Sequence, residues 1–173
     1  DRSNNLSTRA IELSTLSGTK TSVPTIAKQV LVSDQDRHVI VFGCDDIGAN
    51  SGATQGNGTQ DPLLIRFSDQ ENPIDYFPTS TNTAGSLRLG SGSTFVQAVE
   101  TKREVLIWTD TSLFSMRFIG PPFTFGLQQL SSNITIMGPN AATATEDVVY
   151  WMGIDNFYRY AGQTEQLECT VKE

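Results

Sequence analysis

The sequence predicts an all-β protein made of β-propeller-like repeats of four-stranded antiparallel sheets, and three observations support this. A short apolar run that ends in an aromatic residue occurs three times, at residues 39–42, 105–108 and 148–151. An arginine followed by an aromatic residue comes after each run. No stretch keeps the period of an amphipathic helix. Short strands repeating every ~40–50 residues are typical of propeller blades, with about four strands to a blade.

Two sets of repeated positions follow from this alignment. The aromatic residues that end the runs are expected at equivalent core positions on the second strand of each sheet, and the arginines are expected on the third strands. The arginines could point into a channel or an interface, but their repetition favours salt bridges between blades or stacking on the adjacent aromatic residues. The aromatic set is Phe42, Trp108 and Trp151, and the arginine set is Arg66, Arg117 and Arg159.

The chain divides into four predicted parts. Residues 1–26 form a polar segment with one possible strand at 9–13. Blade 1 spans 27–80, blade 2 spans 81–130, and blade 3, which we expect to be truncated, spans 131–173. Because typical propellers carry ~4–8 blades, we expect these three to belong to a larger propeller or platform. The predicted strands are 29–32, 38–42, 63–67 and 74–77 in blade 1, 95–99, 105–108, 113–118 and 123–130 in blade 2, and 141–145, 148–151, 157–160 and 167–171 in blade 3.

Blade 1 differs from the others by a glycine-rich insertion at residues 45–60, where the other two repeats turn tightly. Its polar composition predicts a long exposed loop. An insertion at one loop of one repeat is typical of functional elaboration, and a tolerated insertion explains it equally well, because long surface loops cost little entropy. Its candidate interaction residues are Asp45, Asp46, Asn50 and Asn57.

Composition limits the classes of partner. The chain has 173 residues and a formal net charge of −7, with 12 Lys and Arg against 19 Asp and Glu. Such a surface is repelled by nucleic-acid phosphates, and no apolar run approaches the ~20 residues of a membrane helix. We interpret Cys44 and Cys169 as two small, partly buried hydrophobic residues in a reducing compartment; the alternative is a disulfide between them. Without an initiator Met or a signal-peptide pattern, the chain is expected to be a piece of a longer polypeptide.

No motif in the sequence indicates catalysis. His38, the only histidine, precedes a strand at the place filled by Glu104 and Asp147 in the other repeats, so a polar position between turn and strand explains it. The G-x-S-x-G context of a Ser-His-Asp hydrolase is absent. Acidic clusters fit Asx-type turns better than a calcium loop. We therefore predict no enzymatic activity, and no catalytic, cofactor or metal site. The acidic clusters are Asp34 with Asp36, Asp45 with Asp46, and Asp69 with Glu71.

At the residue level the chain resembles a central segment of a tail protein of short-tailed bacteriophages, the tail nozzle, tail tubular or packaged-DNA stabilisation protein. Two of the matching stretches are Ile107-Trp108-Thr109-Asp110 and Met116-Arg117-Phe118-Ile119-Gly120-Pro121-Pro122-Phe123. The others occur in the family's order at residues 30–34, 36–40, 61–73, 81–85, 138–142, 150–153 and 167–170.

This resemblance implies a virion structural protein of the tail, made in the host cytoplasm, that closes or stabilises the DNA exit channel. It implies contacts with other tail or portal-adapter proteins, a homo-oligomeric ring, non-specific proximity to DNA and no membrane. The alternative is a carbohydrate- or receptor-binding β-propeller module that uses the 45–60 loop with Tyr158 and Tyr160. A propeller glycosidase, which would need a carboxylate pair at a defined separation, ranks last.

Overall fold

A computed structural model describes residue 18, residues 20–48 and residues 53–168. The predicted fold class is confirmed, because these residues form three four-stranded antiparallel sheets and contain no helix. No helix in the described ranges is therefore long and apolar enough to cross a bilayer. The strand predicted at residues 9–13 lies outside the described residues.

Each sheet is formed by four strands that are consecutive in the chain, as in a propeller blade. Sheet 1 contains β1 (Gln29–Val32), β2 (Val39–Phe42), β3 (Leu64–Phe67) and β4 (Gly85–Arg88). Sheet 2 contains β5 (Phe95–Glu100), β6 (Val105–Thr109), β7 (Leu113–Gly120) and β8 (Thr124–Ser131). Sheet 3 contains β9 (Ala142–Thr145), β10 (Val148–Met152), β11 (Phe157–Tyr160) and β12 (Thr164–Leu167).

The chain forms two compact units. The first comprises Asp1–Gly90 with Phe118–Gly126, which is the tip of the β7–β8 hairpin. One core cluster lies on one face of sheet 1. Every residue of β2 is buried, as a run of four apolar residues predicts for a strand covered on both faces. The buried core cluster consists of Val23, Ala27, Val39, Val41, Cys44, Leu64 and Tyr76.

The second unit comprises Ser91–Arg117 with Leu127–Glu173 and contains most of sheet 2 and all of sheet 3. The two sheets share one apolar core. The Gln97 side chain joins β5 to β9, since its amide donates to the carbonyl of Ala142 and accepts from the Ala142 N–H, both at 3.2 Å. The core cluster consists of Leu106, Trp108, Leu113, Ile134, Ile136, Val149, Trp151 and Tyr160.

Two fourth strands differ from the prediction. In sheet 1 the fourth strand is Gly85–Arg88 rather than residues 74–77, so this sheet extends beyond the boundary predicted at residue 80. Residues 74–77 pair instead with Thr21, whose N–H donates to the Ile74 carbonyl and whose carbonyl accepts from the Tyr76 N–H, both at 2.9 Å. In sheet 3 the fourth strand begins at Thr164, directly after a tight turn at residues 161–163, rather than at residue 167. Residues 169–171 of the predicted strand lie outside the described residues.

Candidate functional site

Arg66 is fully buried on β3, and its guanidinium binds backbone carbonyls rather than a carboxylate. One terminal nitrogen donates to the carbonyl of Asp45 at 3.2 Å, and the other donates to the carbonyls of Ser22 at 2.6 Å and Tyr76 at 3.2 Å. The guanidinium carbon lies 5.7 Å from the centre of the Tyr76 ring. Burial lowers the pKa of Arg66, although nearby acidic groups oppose this shift. Arg66 therefore joins three chain segments inside the first unit.

Asp45, predicted as an interaction residue of the 45–60 loop, is fully buried. One carboxylate oxygen accepts from the N–H groups of Thr25 at 2.8 Å and Ile26 at 3.1 Å. The other accepts from the Thr25 hydroxyl at 2.9 Å and the Gly58 N–H at 3.0 Å. Asp45 is thus unavailable as a surface contact, because its side chain already binds the loop to residues 25–26.

The described parts of the 45–60 loop are also paired along their backbone. The N–H of Ser22 donates to the carbonyl of Ala53, and the N–H of Gly56 donates to the carbonyl of Val23. Asp46 and Asn57 are exposed, as predicted for interaction residues, and each accepts a hydrogen bond from a nearby backbone N–H. Asn50 lies outside the described residues. The loop is therefore held to the preceding chain on both sides of the undescribed residues 49–52.

Arg117 and Glu104 form a polar cluster with Ser115 and Tyr160 in the second unit. One oxygen of the Glu104 carboxylate accepts from the Ser115 hydroxyl and from Arg117 Nε at 3.1 Å. The other accepts from the Tyr160 hydroxyl at 2.8 Å. Burial raises the pKa of Glu104, but these three hydrogen bonds outweigh burial and the pKa is lowered overall. Glu104 is therefore held ionised as a cross-link between β7 and β11.

The three predicted arginines have different environments. Arg159 lies on β11 opposite Tyr150 and pairs with Glu165 of β12 at 2.8 Å. Arg66 is buried, whereas Arg117 is exposed. Arg117 extends beyond the end of the neighbouring strand β6, so it stands opposite Glu104 rather than opposite an apolar residue of β6. The Arg–aromatic repeat thus corresponds to two salt bridges, each within one sheet rather than between blades as predicted, and one buried arginine that binds backbone carbonyls.

Phe42, Trp108 and Trp151 all lie on the second strands of their sheets and are buried. In the β6–β7 hairpin, Trp108 is next to the residue that closes the hairpin. In the β10–β11 hairpin, Met152 is next to the closing residue, and Trp151 lies one residue further from the turn. A shift of one residue turns a side chain to the opposite face of a sheet. The side chains of Trp108 and Trp151 therefore point toward each other, and their rings meet edge to face with centres 5.3 Å apart.

His38 is fully buried in the first unit instead of lying at a polar turn. Its Nε2 lies 3.0 Å from the Thr83 hydroxyl, which donates to Asp69 at 2.9 Å, so the imidazole must donate to Thr83. The rings of Phe118 and Phe125 lie 5.9 and 5.2 Å from the imidazole, centre to centre. Burial lowers the pKa of His38, against the effects of Asp36 and Asp69. A neutral imidazole is therefore part of this core.

Two of the remaining acidic candidates, Asp36 and Glu71, have polar partners in the first unit. Asp36 bonds to the Ser33 hydroxyl within one turn, and Glu71 pairs with Arg37. Cys44 is buried, which raises the pKa of its thiol to about 12; Cys169 lies outside the described residues. Within the described ranges, no group of three or more His, Cys, Asp or Glu side chains is placed to hold a metal ion.

The tip of the β7–β8 hairpin has one packed side and one exposed side. Phe118 and Phe125 pack with His38, and the Thr124 hydroxyl donates to the carbonyl of Thr83 at 2.9 Å. In contrast, Ile119 is 58% exposed and Phe123 is 73% exposed. Sequence reasoning missed this surface, although one signal was present, because residues 118–145 contain no Asp, Glu, Lys or Arg.

Sheet 3 has a second exposed apolar surface, which we call the outer face. On β10 the buried residues Val149 and Trp151 alternate with Tyr150 and Met152, which are exposed. Phe157 of β11 stands opposite Met152 and is exposed too. The corresponding strands β2 and β6 are buried on both faces. The second strand of sheet 3 is therefore exposed on its outer face, whereas the second strands of the other two sheets are buried on both faces.

A cleft of about 500 Å³ lies beside Tyr158 in the second unit. The Tyr158 ring stacks on Trp151 with centres 5.3 Å apart, and Gln163, Gln166 and Ser131 provide polar groups around it. Tyr160 also borders the cleft but is buried, and its hydroxyl is already bonded to Glu104. Of the two tyrosines predicted to bind sugars, only Tyr158 is partly exposed here.

Neither protein families nor curated proteins gave a match to this chain.

Proposed function

We propose that this chain is a structural component of the tail of a short-tailed bacteriophage, of the nozzle or tubular type. In this role it closes or stabilises the exit channel of the packaged DNA and contacts neighbouring tail subunits, in a homo-oligomeric ring next to other tail or portal-adapter proteins. The basis of the proposal is the resemblance of the stretches quoted above.

The observation that best supports the proposal is the exposed side of the β7–β8 hairpin tip. The tip overlaps residues 116–123, one of the stretches of the resemblance, and it exposes Ile119 and Phe123. Its inward side is fixed by Phe118 and Phe125, so the exposed side chains are held on a packed base. Exposed apolar residues on an ordered protrusion are typical of protein–protein contacts.

Net charge agrees with a position beside DNA without tight binding. The formal charge of −7 repels phosphates. Several arginines that could neutralise phosphates are already engaged, because Arg66 is buried among carbonyls and Arg117 pairs with Glu104. A wall along which DNA moves needs such a surface, since phosphate contacts would slow the release of the DNA.

The experiment uses a phage that encodes this chain. We expect the double substitution Ile119→Asp with Phe123→Asp to remove the protein from purified particles, measured by quantitative mass spectrometry, while its thermal unfolding in isolation stays unchanged. Gln128→Asp, which adds a charge at an exposed position of β8, is the matched control and should be incorporated normally. Normal incorporation of the double variant, or absence of the wild-type chain from particles, would contradict the proposal.

The second candidate function, a carbohydrate- or receptor-binding module, is favoured by the cleft beside Tyr158. An aromatic ring surrounded by amide and hydroxyl groups is suited to a neutral sugar. Isothermal titration with neutral oligosaccharides tests this candidate. Binding that Tyr158→Ala removes would support it, and binding by no glycan would reject it.

A further inference from the structure

We propose that Asn57-Gly58 is a site of spontaneous covalent modification, at which Asn57 is converted slowly to aspartate and isoaspartate, and that the hydrogen bond between Gly58 and Asp45 controls the rate. Water is the only co-reactant that this conversion consumes. The inference does not depend on the tail function, because the purified chain carries the whole site.

The sequence contains one asparagine that is followed by glycine, and this pair lies at positions 57 and 58. An asparagine side chain can react with the backbone nitrogen of the next residue, and a side chain on that residue hinders the approach. Glycine has no side chain. Both residues are exposed, and the space where a Cβ atom of Gly58 would lie is open. Asn57 is therefore, by its sequence context, the least hindered asparagine of the chain for this reaction.

The reaction exchanges the side-chain amide of Asn57 for a carboxylate in two steps. The Gly58 nitrogen gives up its proton and bonds to Cγ of Asn57, while Nδ2 takes up a proton and leaves as ammonia, so that a cyclic succinimide forms. Water then adds to one of the two ring carbonyls. Addition at Cγ breaks the new bond and gives aspartate. Addition at the backbone carbonyl breaks the original peptide bond and gives isoaspartate, whose main chain runs through the side chain.

The nucleophile of this reaction is restrained in the structure. The Gly58 N–H donates to a carboxylate oxygen of Asp45 at 3.0 Å. Asp45 is fully buried and also accepts from the N–H groups of Thr25 and Ile26, so its carboxylate is fixed in place. Removing the Gly58 proton there would place a second negative charge beside the carboxylate, which is costly at a buried site. Gly58 must therefore leave Asp45 before it attacks.

The electrophile, in contrast, is already activated. The Oδ1 atom of Asn57 accepts from the Thr59 N–H at 2.9 Å, and the backbone N–H of Asn57 donates to the Asp46 carbonyl at 2.9 Å. Attack at Cγ moves negative charge onto Oδ1, where the Thr59 N–H stabilises it. Opening of the contact between Gly58 and Asp45 is therefore the step that limits the rate.

The modification in turn changes the 45–60 loop. Isoaspartate adds one carbon atom to the main chain between residue 57 and Gly58, and both products add a negative charge close to Asp45. The Gly58 N–H then no longer meets its acceptor, so the loop loses one of the bonds that hold it to the first unit. Because hydrolysis of the succinimide does not restore the amide, the loop changes with the age of the chain.

The test is peptide mapping by mass spectrometry of the folded 173-residue chain during incubation at pH 7, with aspartate and isoaspartate quantified separately. We expect slow conversion of Asn57 and none of Asn133, which is exposed but precedes Ile134. Asp45→Ala, which removes the acceptor of the Gly58 N–H, should speed the conversion of Asn57 about 10-fold or more, as loss of a hydrogen bond to a charged group does.

Two controls separate this hydrogen bond from stability in general. Val41→Ala removes part of the core of the same unit without touching the partners of Asp45, and it should leave the rate at Asn57 close to the wild-type value. The wild-type chain unfolded in urea gives the unrestrained rate, which should exceed that of the folded chain.

Four outcomes would overturn the proposal. They are no conversion of Asn57 in any variant, an Asp45→Ala rate no higher than that of the wild type, equal acceleration by Val41→Ala and Asp45→Ala, and equal rates in the folded and unfolded wild-type chain. None of them depends on whether the chain occurs in phage tails.

Discussion

Replacing Asp45 with Asn tests the interpretation of the 45–60 loop as a fixed part of the first unit. Four donors converge on the Asp45 carboxylate, namely two groups of Thr25 and the N–H groups of Ile26 and Gly58. Asparagine has nearly the same size but only one acceptor oxygen. If that oxygen keeps the backbone N–H groups of Thr25 and Ile26, its NH₂ group faces the Gly58 N–H, and two donors then point at each other.

The expected cost follows from that count. A buried N–H left without an acceptor costs about 1–3 kcal/mol, and the bonds that remain lose the additional strength of a charged acceptor. We therefore expect Asp45→Asn to lower the free energy of unfolding by about 2–4 kcal/mol. Asp46→Asn, at the exposed neighbouring position, should cost less than about 0.5 kcal/mol because the Asn oxygen can still accept from the Ile47 N–H.

Urea unfolding at pH 7 and 25 °C, followed by circular dichroism, measures both variants under the same conditions. Hydrogen exchange adds a local measurement, since the Gly58 amide should exchange much faster in Asp45→Asn than in the wild type. Equal stability of the two variants, together with fast exchange of Gly58 in the wild-type chain, would refute the reasoning and would favour the long exposed loop that composition predicted.

Three further predictions follow from the cores and the buried titratable groups. Trp108→Ala should lower the free energy of unfolding by about 3–5 kcal/mol in thermal or urea melts, because Trp108 is fully buried against Trp151; an unchanged midpoint would contradict this packing. His38 has a lowered pKa, so the unfolded chain binds its proton first and stability should fall as the pH drops below 6.5, by up to about 1.4 kcal/mol per pH unit. Since His38 is the only histidine, His38→Gln should flatten this part of the pH curve, and an equal slope in both proteins would reject the assignment. Glu104 also has a lowered pKa, so its contribution to the free energy of unfolding is complete above the ordinary Glu value of 4.5 and is lost at lower pH. Glu104→Gln should therefore be about 2 kcal/mol less stable than the wild type at pH 7 and should lose less stability on acidification.

The strands were predictable because apolar runs are a strong local signal. The runs ending in Phe42, Trp108 and Trp151 all became second strands, and blade-like sheets followed from their spacing. The face of the sheet to which each side chain points was harder to predict. A shift of one residue between two hairpins decides whether Trp108 and Trp151 share a face or meet, and hairpin register depends on turn geometry that composition does not reveal.

The roles of the polar candidates depended on long-range partners that sequence patterns do not encode. Asp45 was predicted on an exposed loop and Arg66 in a salt bridge or an aromatic stack, but residues 22–26 and Tyr76 supply the donors and acceptors that allow both to be buried. The same kind of distant pairing moved the fourth strand of sheet 1, because Thr21 takes the hydrogen bonds of residues 74–76. Local propensity cannot rank these alternatives, since each depends on which distant segment packs against the site in the folded core.

Electron cryomicroscopy of purified phage particles tests the central proposal most directly. The account predicts density for the three four-stranded sheets within the tail, repeated around its axis, with Ile119 and Phe123 of each hairpin tip packed against a neighbouring subunit. Particles whose tails contain no such sheets, or in which the hairpin tip faces only solvent, would contradict it.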